Sequence, residues 1–209
     1  MVSRDHLRGL YLILDAQWAN RRPLLECLKI AATCGVTLFQ YRNKTGSMRE
    51  MYHQARQLRE EAARHHVCLI INDRCDLALA VDADGVHLGQ DDLPLDLARD
   101  LLGPEKLIGV STHRADEIHA AAGADYLAFG PIFPTSTKPN HQQPVGLEGL
   151  KMARSLTAQP LFAIGGITLE TSAAVLSTGV QGIAVASAIL NTVDFEASVR
   201  AFLSQFTVL

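Results

Sequence analysis

Short, almost entirely apolar runs of residues alternate along this chain with longer amphipathic segments. The apolar runs are rich in leucine, isoleucine and valine, which is typical of buried strands. The segments between them have helical character, and Pro23 stands where it suits the first position of a helix. Strands are predicted at 9–15, 36–41, 67–72, 85–88, 106–111, 125–129, 160–164 and 182–186, and helices at 23–34, 47–66, 73–81, 93–102, 114–122, 147–156, 169–177 and 195–206.

The predicted strands are apolar at nearly every position instead of alternating with polar residues. Strands buried on both faces have this pattern, so we expect a parallel sheet covered by helices. Eight successive strand and helix pairs, spaced by about 20–30 residues, favour an α/β fold of the (β/α)8 TIM-barrel type. An open doubly wound sheet is the alternative, but no GxGxxG motif follows the first strand.

Composition narrows the class of protein further. The 209 residues contain no linker, so we expect a single TIM-barrel catalytic domain over 1–209. The net charge of −3 predicts no attraction to nucleic acid or to an anionic membrane. Since the chain also has neither a bilayer-length apolar run nor a signal peptide, we expect a cytoplasmic protein. The cysteines lack metal-ligand spacing, which predicts reduced thiols.

Polar residues that follow the strands are the candidates for chemistry, because barrels place their active sites at the carboxyl ends of the strands. Gln40, Arg42 and Lys44 stand at every second position around the end of the second strand. Successive residues of an extended chain alternate in direction, so these three side chains would point the same way. Two cations and an amide donor suit a ligand with many anionic oxygens, such as a diphosphate. The alternative is a charged loop that is simply solvated.

Carboxylates follow the third and fourth strands, at Asp73 and Asp92. Two carboxylates at neighbouring strand ends can hold one Mg²⁺, whose remaining positions are filled by water and by substrate phosphate oxygens. Either aspartate could instead cap the helix that follows it. The position of both beside the basic residues of the second strand favours the metal site, since like charges without a cation would be costly.

The later strand ends add a second group of polar residues. Ser111 and His113 follow the fifth strand, where either could bind a leaving group, although His113 could equally cap or pack. The stretch 130–145 is long, contains four prolines and carries Lys138, which suggests a lid or a ligand-binding loop. The alternative is a flexible surface excursion, against which the prolines argue by limiting the freedom of the chain. His87 lies inside a strand and is expected to be a satisfied histidine of the core or the rim.

The last two strand ends are neutral. Gly165 and Gly166 allow a close backbone approach, and Ser187 follows the neighbouring eighth strand. Barrels often hold a phosphate between these two loops on backbone N–H groups. Together with the basic and acidic residues described above, this arrangement suggests a reaction between a diphosphate and a monophosphate.

In order along the chain, these motifs resemble those of the thiamine-phosphate synthase family. Each motif is weak alone, but the ordered set spans most of the chain and is specific. The resemblance implies a Mg²⁺-dependent transferase that joins an aminopyrimidine methyl diphosphate to a thiazole ethyl phosphate or its carboxylated form, and that releases diphosphate. The matching segments are 11–15, 40–44, 71–74, 85–92, 109–111, 130–138, 164–167 and 186–189.

The resemblance also implies roles for individual residues. Asp73 and Asp92 would bind Mg²⁺, and two groups of residues would bind the two substrates. The stretch 139–144 departs from the family in its composition. The pyrimidine diphosphate would be held by Gln40, Arg42, Lys44, Asn72, Ser111 and Lys138, and the thiazole phosphate by Thr135, Thr137, Gly166, Ala186 and Ser187.

Two other functions are compatible with a barrel that binds phosphorylated small molecules. A thiazole tautomerase on the same fold would need neither the paired carboxylates nor the cations of the second strand. A non-catalytic phosphate-binding barrel would bind its ligand without turnover. For the synthase we expect dissociation of the pyrimidine diphosphate to a pyrimidine methyl cation, which the thiazole nitrogen captures. A homo-oligomer is compatible with the sequence.

Overall fold

The computed structural model describes residues 6–18, 21–135 and 143–206. Eight parallel strands form a closed barrel in which each strand pairs with the next and β1 also pairs with β8. The predicted (β/α)8 barrel is therefore confirmed, and the open sheet is excluded. The strands are β1 (Gly9–Asp15), β2 (Leu38–Arg42), β3 (Cys68–Asn72), β4 (Gly85–Leu88), β5 (Leu107–Thr112), β6 (Tyr126–Phe129), β7 (Leu161–Ile164) and β8 (Gly182–Val185).

Helices follow the strands and form the outer layer. α2 begins with a capping box, in which the Ser47 hydroxyl accepts from the Glu50 N–H and the Glu50 carboxylate accepts from the Ser47 N–H. Gly35 ends α1 in a left-handed conformation, with φ +110°. The helices are α1 (Leu24–Cys34), α2 (Met48–Arg64), α3 (Cys75–Ala80), α4 (Leu95–Leu102), α5 (Ala115–Ala120), α6 (Gly146–Ser155), α7 (Leu169–Leu176), α8 (Ser187–Leu190) and α9 (Phe195–Ser204).

The boundaries differ from the predictions mainly where a strand meets a helix. Pro23 is the N-cap of α1, one position before the first helical residue. α3 begins at Cys75 instead of residue 73, because Asp73 has a left-handed φ of +63° that cannot start a helix. No pattern in the chain predicted the four-residue α8 or the single 3₁₀ turn at Ala16–Trp18.

Side chains of the strands point alternately into the barrel and toward the helices. On β1, Tyr11 and Ile13 belong to the core inside the barrel, whereas Leu12 and Leu14 pack in the layer between strands and helices. Both positions are buried, which explains why the strands are apolar throughout. A glycine at position 109 leaves the space that the ring of Tyr126 occupies inside the barrel.

The side chains of Cys27, Cys34, Cys68 and Cys75 are free thiols, as expected. None of the helices in the described part of the chain is both long enough and apolar enough to span a bilayer. The packing of the barrel thus rests on its apolar layers, with no disulfide among these cysteines.

Candidate active site

A narrow cavity opens inside the barrel at the carboxyl ends of the strands. Four of the residues predicted from the sequence line it, namely Gln40, Arg42, Asn72 and Ser111. They come from β2, β3 and β5, so the closed barrel brings residues far apart in the sequence to one opening. The remaining lining residues are Tyr11, Ile13, His87, Ala128, Ile164 and Ala184.

Lys44, Asp73 and Asp92 meet at this same end of the barrel. The Lys44 ammonium contacts the Asp73 carboxylate, and the neighbouring Asp92 is close enough to affect its protonation. Burial raises the pKa of Asp73, and the nearby Asp92 raises the same pKa further. Lys44 lowers this pKa, because its positive charge favours the charged form of the Asp73 carboxylate. Two neighbouring carboxylates and one ammonium group therefore lie together, with Lys44 in contact with Asp73 and Asp92 beside it.

Neither aspartate caps a helix, which was the alternative interpretation from the sequence. α3 has Arg74 at its N-cap and α4 has Pro94, and neither cap uses a side-chain hydrogen bond. The Asp92 carboxylate instead accepts a hydrogen bond from the Gly89 N–H at 2.6 Å within its own loop. Both side chains are therefore held at the mouth of the barrel.

The backbone of Asp73 is in a left-handed conformation that non-glycine residues adopt infrequently. Its φ is +63°, and its N–H donates to the carbonyl of His87 on the neighbouring strand at 2.8 Å. Aspartate and asparagine tolerate this region better than most residues do. The conformation turns the chain sharply after β3 and directs the Asp73 carboxylate toward Lys44.

Arg42 is held by an aspartate that the sequence analysis did not single out. Its guanidinium donates to the carboxylate of Asp15, the last residue of β1, whose side chain is only 3% exposed. The backbone and side-chain amides of Gln17 also donate to this carboxylate, each at 3.1 Å. A charged residue at the end of an otherwise apolar strand was the signal that could have identified Asp15.

A chain of hydrogen bonds crosses the barrel beneath the cavity. Gln40 Nε2 donates to the Tyr11 hydroxyl at 2.8 Å, and the hydroxyls of Tyr11 and Tyr126 are 2.8 Å apart. His87 Nδ1 lies 3.1 Å from the Tyr126 hydroxyl, and His87 Nε2 lies 2.9 Å from Ser111 Oγ. His87 is thus a satisfied core histidine, as predicted, but it also contacts a predicted substrate-binding residue.

Burial raises the pKa of Tyr11 and raises that of Tyr126 well above its ordinary value. Both phenols therefore keep their protons at neutral pH and act as hydrogen-bond donors. Neither tyrosine was among the functional residues predicted from the sequence. Their signal was a polar group at an inward position of an apolar strand, but the sequence alone does not reveal which strand positions face inward.

The loop after β6 packs against the loop after β7. The Phe133 N–H donates to the Gly165 carbonyl at 3.0 Å. Gly166 has a φ of +66°, and a Cβ at this position would lie 2.5 Å from the carbonyl oxygen of Pro134. The glycine pair therefore permits close contact between two loops, in addition to any approach by a ligand.

The predicted residues of the thiazole phosphate site lie at neighbouring strand ends or outside the described residues. Ile164 of β7 pairs with Ala184 of β8, so Gly166 and the start of α8 at Ser187 follow adjacent strands. Ala186 is the N-cap of α8. Thr135 is the last described residue before the gap at 136–142 in the loop after β6. Two other predicted binding residues, Thr137 and Lys138, lie outside the described residues, as does most of the stretch 139–144.

His113 and Gln90 have structural partners near the cavity. His113 Nδ1 lies 2.5 Å from the carbonyl oxygen of Gly130, where the loop after β6 begins. The backbone N–H of His113 donates to the Glu117 carboxylate at 2.7 Å. Gln90 Nε2 donates to the carbonyl oxygen of Ser111 at 2.7 Å. These contacts favour the packing interpretation of His113 over a role in binding the leaving group.

The donor set at the mouth can be compared with what a metal ion needs. Within residues 6–18, 21–135 and 143–206, no cluster of three or more His, Cys, Asp or Glu side chains could hold a metal ion. The pair of Asp73 and Asp92 would leave most coordination positions to water and phosphate oxygens. Mg²⁺ is commonly bound in this way, whereas zinc is usually bound by three or four protein ligands.

A larger cavity, of about 410 Å³, lies at the opposite end of the barrel. Its polar side chains already bond within the protein. Arg99 donates to Asp125 at 2.5 Å, and Gln159 donates to the carbonyl oxygen of Ala124 at 2.5 Å. Because these groups hold loops together, we assign the chemistry to the carboxyl ends of the strands.

Comparisons with known proteins identify the relatives of this chain. Residues 10–189 match the family described as thiamine monophosphate synthase. A thiamine-phosphate synthase of Clostridium novyi (strain NT) is 48% identical over 189 residues, which cover 90% of this chain and 93% of the relative. One from Chloroflexus aurantiacus is 47% identical over 193 residues, covering 91% and 89%. The solved structure of a thiamine phosphate pyrophosphorylase from Pyrococcus furiosus is similar with a TM-score of 0.88, 36% identity and 98% coverage of each chain.

Proposed function

Because the chain belongs to the thiamine monophosphate synthase family, we propose that it is a transferase that joins an aminopyrimidine methyl diphosphate to a thiazole ethyl phosphate. The products are thiamine monophosphate and diphosphate. The observation that carries this proposal is the meeting of Lys44, Asp73 and Asp92 at the mouth of the barrel, beside Arg42. A departing diphosphate needs such a concentration of positive charge and metal-binding carboxylates.

The residues at the mouth fit one Mg²⁺ ion, which Asp73 and Asp92 would hold. When bound, the ion supplies positive charge to the oxygens of the diphosphate. The two aspartates fit this role because they lie together and because Lys44 already balances part of their charge. Their number also leaves room for water and for phosphate oxygens in the coordination sphere.

Lys44 and Arg42 would bind the diphosphate from two directions. The Lys44 side chain is 51% exposed, so it can rotate from Asp73 to a bound phosphate. Arg42 is fixed on Asp15 and would present its remaining N–H groups to the ligand. We assign Lys138 the same role from the loop after β6. Gln40, Asn72 and Ser111, which line the cavity, would hold the pyrimidine ring.

The reaction needs a carbocation on the pyrimidine methylene carbon and a nucleophile, but no general base. We propose that the bond from the pyrimidine methylene carbon to the diphosphate oxygen breaks first, leaving its electrons on the departing diphosphate. The aminopyrimidine ring can donate electrons to the resulting cation. The thiazole nitrogen then forms the new bond with its lone pair and has no proton to lose. Closure of the loop after β6 would exclude water that could capture the cation.

The thiazole phosphate would bind at the ends of β7 and β8. Gly166 and Ser187 follow these adjacent strands, and the backbone N–H at the start of α8 has no partner within its helix. We assign the phosphate to this neutral region, together with Ala186, Thr135 and Thr137. The monophosphate and the diphosphate would thus bind on different sides of one cavity, with the reacting atoms between them.

An assay of released diphosphate tests the proposed function. The purified protein is mixed with the aminopyrimidine methyl diphosphate, the thiazole phosphate and Mg²⁺. We expect diphosphate release that requires both substrates and matches the thiamine monophosphate formed. Isomerisation of a thiazole phosphate without diphosphate release would support the tautomerase instead. Binding of both compounds without any product would support the non-catalytic barrel.

A further inference from the structure

Five buried side chains form a continuous hydrogen-bonded chain inside the barrel, which we call the relay. It runs in the order Gln40, Tyr11, Tyr126, His87 and Ser111, with contacts between 2.8 and 3.1 Å. Tyr11 and Tyr126 are completely buried, and the other three are no more than 6% exposed. Both ends of the relay, Gln40 and Ser111, line the cavity to which we have assigned the pyrimidine ring.

The first half of the relay has a fixed direction. Gln40 Nε2 can only donate, so the Tyr11 oxygen accepts from it. The hydrogen of Tyr11 then has the Tyr126 oxygen as its acceptor, at 2.8 Å. Burial raises the pKa of both tyrosines, so each keeps the hydrogen that this direction requires. A buried hydroxyl hydrogen without an acceptor would cost about 1–3 kcal/mol, so all the hydrogens of the relay must point in one direction.

The second half follows from the first. Since the Tyr126 oxygen accepts from Tyr11, its own hydrogen goes to His87 Nδ1 at 3.1 Å. A neutral imidazole with an accepting Nδ1 carries its hydrogen on Nε2. His87 Nε2–H therefore donates to Ser111 Oγ at 2.9 Å, and the Ser111 hydroxyl keeps its own hydrogen for another partner. Ser111 thus becomes a donor toward the cavity.

The orientation of the Gln40 amide determines the direction of all the other bonds. If the amide were rotated so that its oxygen faced Tyr11, each hydrogen in the relay would have to reverse. Ser111 would then donate to His87 and present only an acceptor to the cavity, while Gln40 would present its NH₂ group. The hydrogen-bonding characters of Gln40 and Ser111 are therefore coupled, although the residues are 71 positions apart in the sequence.

We propose that Tyr11, Tyr126 and His87 are positioning residues that determine which heterocycle the cavity accepts. In the direction described, Gln40 presents its carbonyl oxygen to the cavity and Ser111 presents its hydroxyl hydrogen. This pair matches a ring that offers an amino group as donor and a ring nitrogen as acceptor. The inference rests on the proposed function, because an aminopyrimidine has these two groups. The corresponding oxo-pyrimidine offers a carbonyl acceptor and a ring N–H donor, which is the opposite pattern.

The Tyr126→Phe variant interrupts the relay and keeps the packing of the ring. Two unreactive probes are compared, namely the methylene diphosphonate analogue of the aminopyrimidine substrate and its oxo counterpart. Calorimetric titration with Mg²⁺ gives the ratio of their affinities. We expect the wild-type protein to prefer the amino probe and the variant to lose this preference by about tenfold or more, since one hydrogen-bonding mismatch commonly costs this much.

Tyr41→Phe is the matched control. Tyr41 is also a buried tyrosine, but its hydroxyl donates to Gln54 at 2.6 Å on the outer side of the barrel. The control should keep the wild-type ratio within about twofold, because it removes a hydroxyl outside the relay. Equal ratios in the wild type and both variants would overturn the proposal, as would a wild type that binds the two probes equally.

Nitrogen-15 spectroscopy of the wild-type protein tests the relay even if Tyr126→Phe does not fold. The chain contains eight histidines, and the signal of His87 is assigned from its absence in His87→Gln. We expect a proton on Nε2 and none on Nδ1. A proton on Nδ1, or on both nitrogens, would overturn the proposed direction.

The relay and the proposed function can fail separately. Loss of the amino preference in Tyr126→Phe, without any diphosphate release by the wild type, would leave the relay standing and reject the transferase. Diphosphate release by the wild type, together with an unchanged preference for the amino probe in Tyr126→Phe, would reject the relay and leave the transferase standing. Failure of the wild type to bind the amino probe at all would reject the relay as a reader of this heterocycle.

Discussion

The ammonium group of Lys44 lies against the carboxylate of Asp73, although the two residues follow different strands and are 29 positions apart. Lys44 is half-exposed, so this ion pair contributes little to stability. Its position is more informative than its energy, because Asp92 stands next to it and adds a second negative charge. Lys44 thus lies at the place where we propose that a metal ion and a diphosphate bind together.

Asp73→Asn should lower turnover by about 100-fold or more, because it removes one of the proposed metal ligands. The variant should remain folded, since asparagine tolerates the left-handed backbone at this position. Diphosphate release under saturating substrates measures the first effect, and thermal unfolding measures the second.

The matched control for this variant is Asp82→Asn. Asp82 is also an aspartate with a positive φ, of +53°, but it precedes β4 and therefore lies at the opposite end of the barrel. Its carboxylate bonds to Lys106. Turnover by the control should stay close to that of the wild type. If Asp73→Asn retained activity within a few-fold of wild type, the assignment of Asp73 to the metal site would be wrong.

Removal of Mg²⁺ by a chelator should abolish diphosphate release, and added Mg²⁺ should restore it. Asp92→Asn should raise the Mg²⁺ concentration needed for half-maximal rate by about tenfold, since one charged ligand is lost. A calorimetric titration of Mg²⁺ with diphosphate present gives the same comparison without turnover. Turnover that survives chelation would contradict the proposed role of the metal.

Asp15→Asn should weaken the binding of the pyrimidine diphosphate by releasing Arg42. We expect the KM for this substrate to rise about tenfold and the KM for the thiazole phosphate to stay unchanged, because a charge-assisted hydrogen bond is lost on one side of the site. Removing one charge of the buried Asp15–Arg42 pair should also lower the free energy of unfolding by about 1–3 kcal/mol. An equal rise of both KM values would indicate general damage to the mouth.

The convergence at the mouth could be predicted from the sequence because it depends on topology. Once the apolar pattern indicates parallel strands in a closed barrel, residues that follow the strands must meet at one end, and Lys44, Asp73 and Asp92 do. The relay could not be predicted, because it depends on which strand positions face inward. Tyr11 and Tyr126 stand in runs in which both faces are buried, so periodicity does not distinguish the faces.

Gly166 illustrates a second limit of the sequence. Its pattern indicated a close backbone approach, but the partner that the structure provides is the loop after β6. Such a contact depends on the path of a long irregular loop, which has no periodicity to interpret. The proposed phosphate-binding role of Gly166 therefore remains a prediction that rests on its position beside β8.

Gly166→Ala should displace the loop after β6, because the new Cβ would meet the Pro134 carbonyl oxygen. We expect a loss of about 1–3 kcal/mol of unfolding free energy and a raised KM for the thiazole phosphate. Gly35→Ala is the control, since Gly35 also has a positive φ but has open space around it, at the opposite end of the barrel. The control should lose stability only, by about 1–2 kcal/mol. An unchanged KM in Gly166→Ala would argue against a role for this loop contact in binding.

A crystal structure with Mn²⁺ and diphosphate, measured with anomalous scattering, tests the convergence at the mouth most directly. We predict one metal peak bound by the carboxylates of Asp73 and Asp92, with Lys44 turned away from Asp73 and bonded to the diphosphate. A metal and a diphosphate bound elsewhere, with the Lys44 and Asp73 pair intact, would contradict the account.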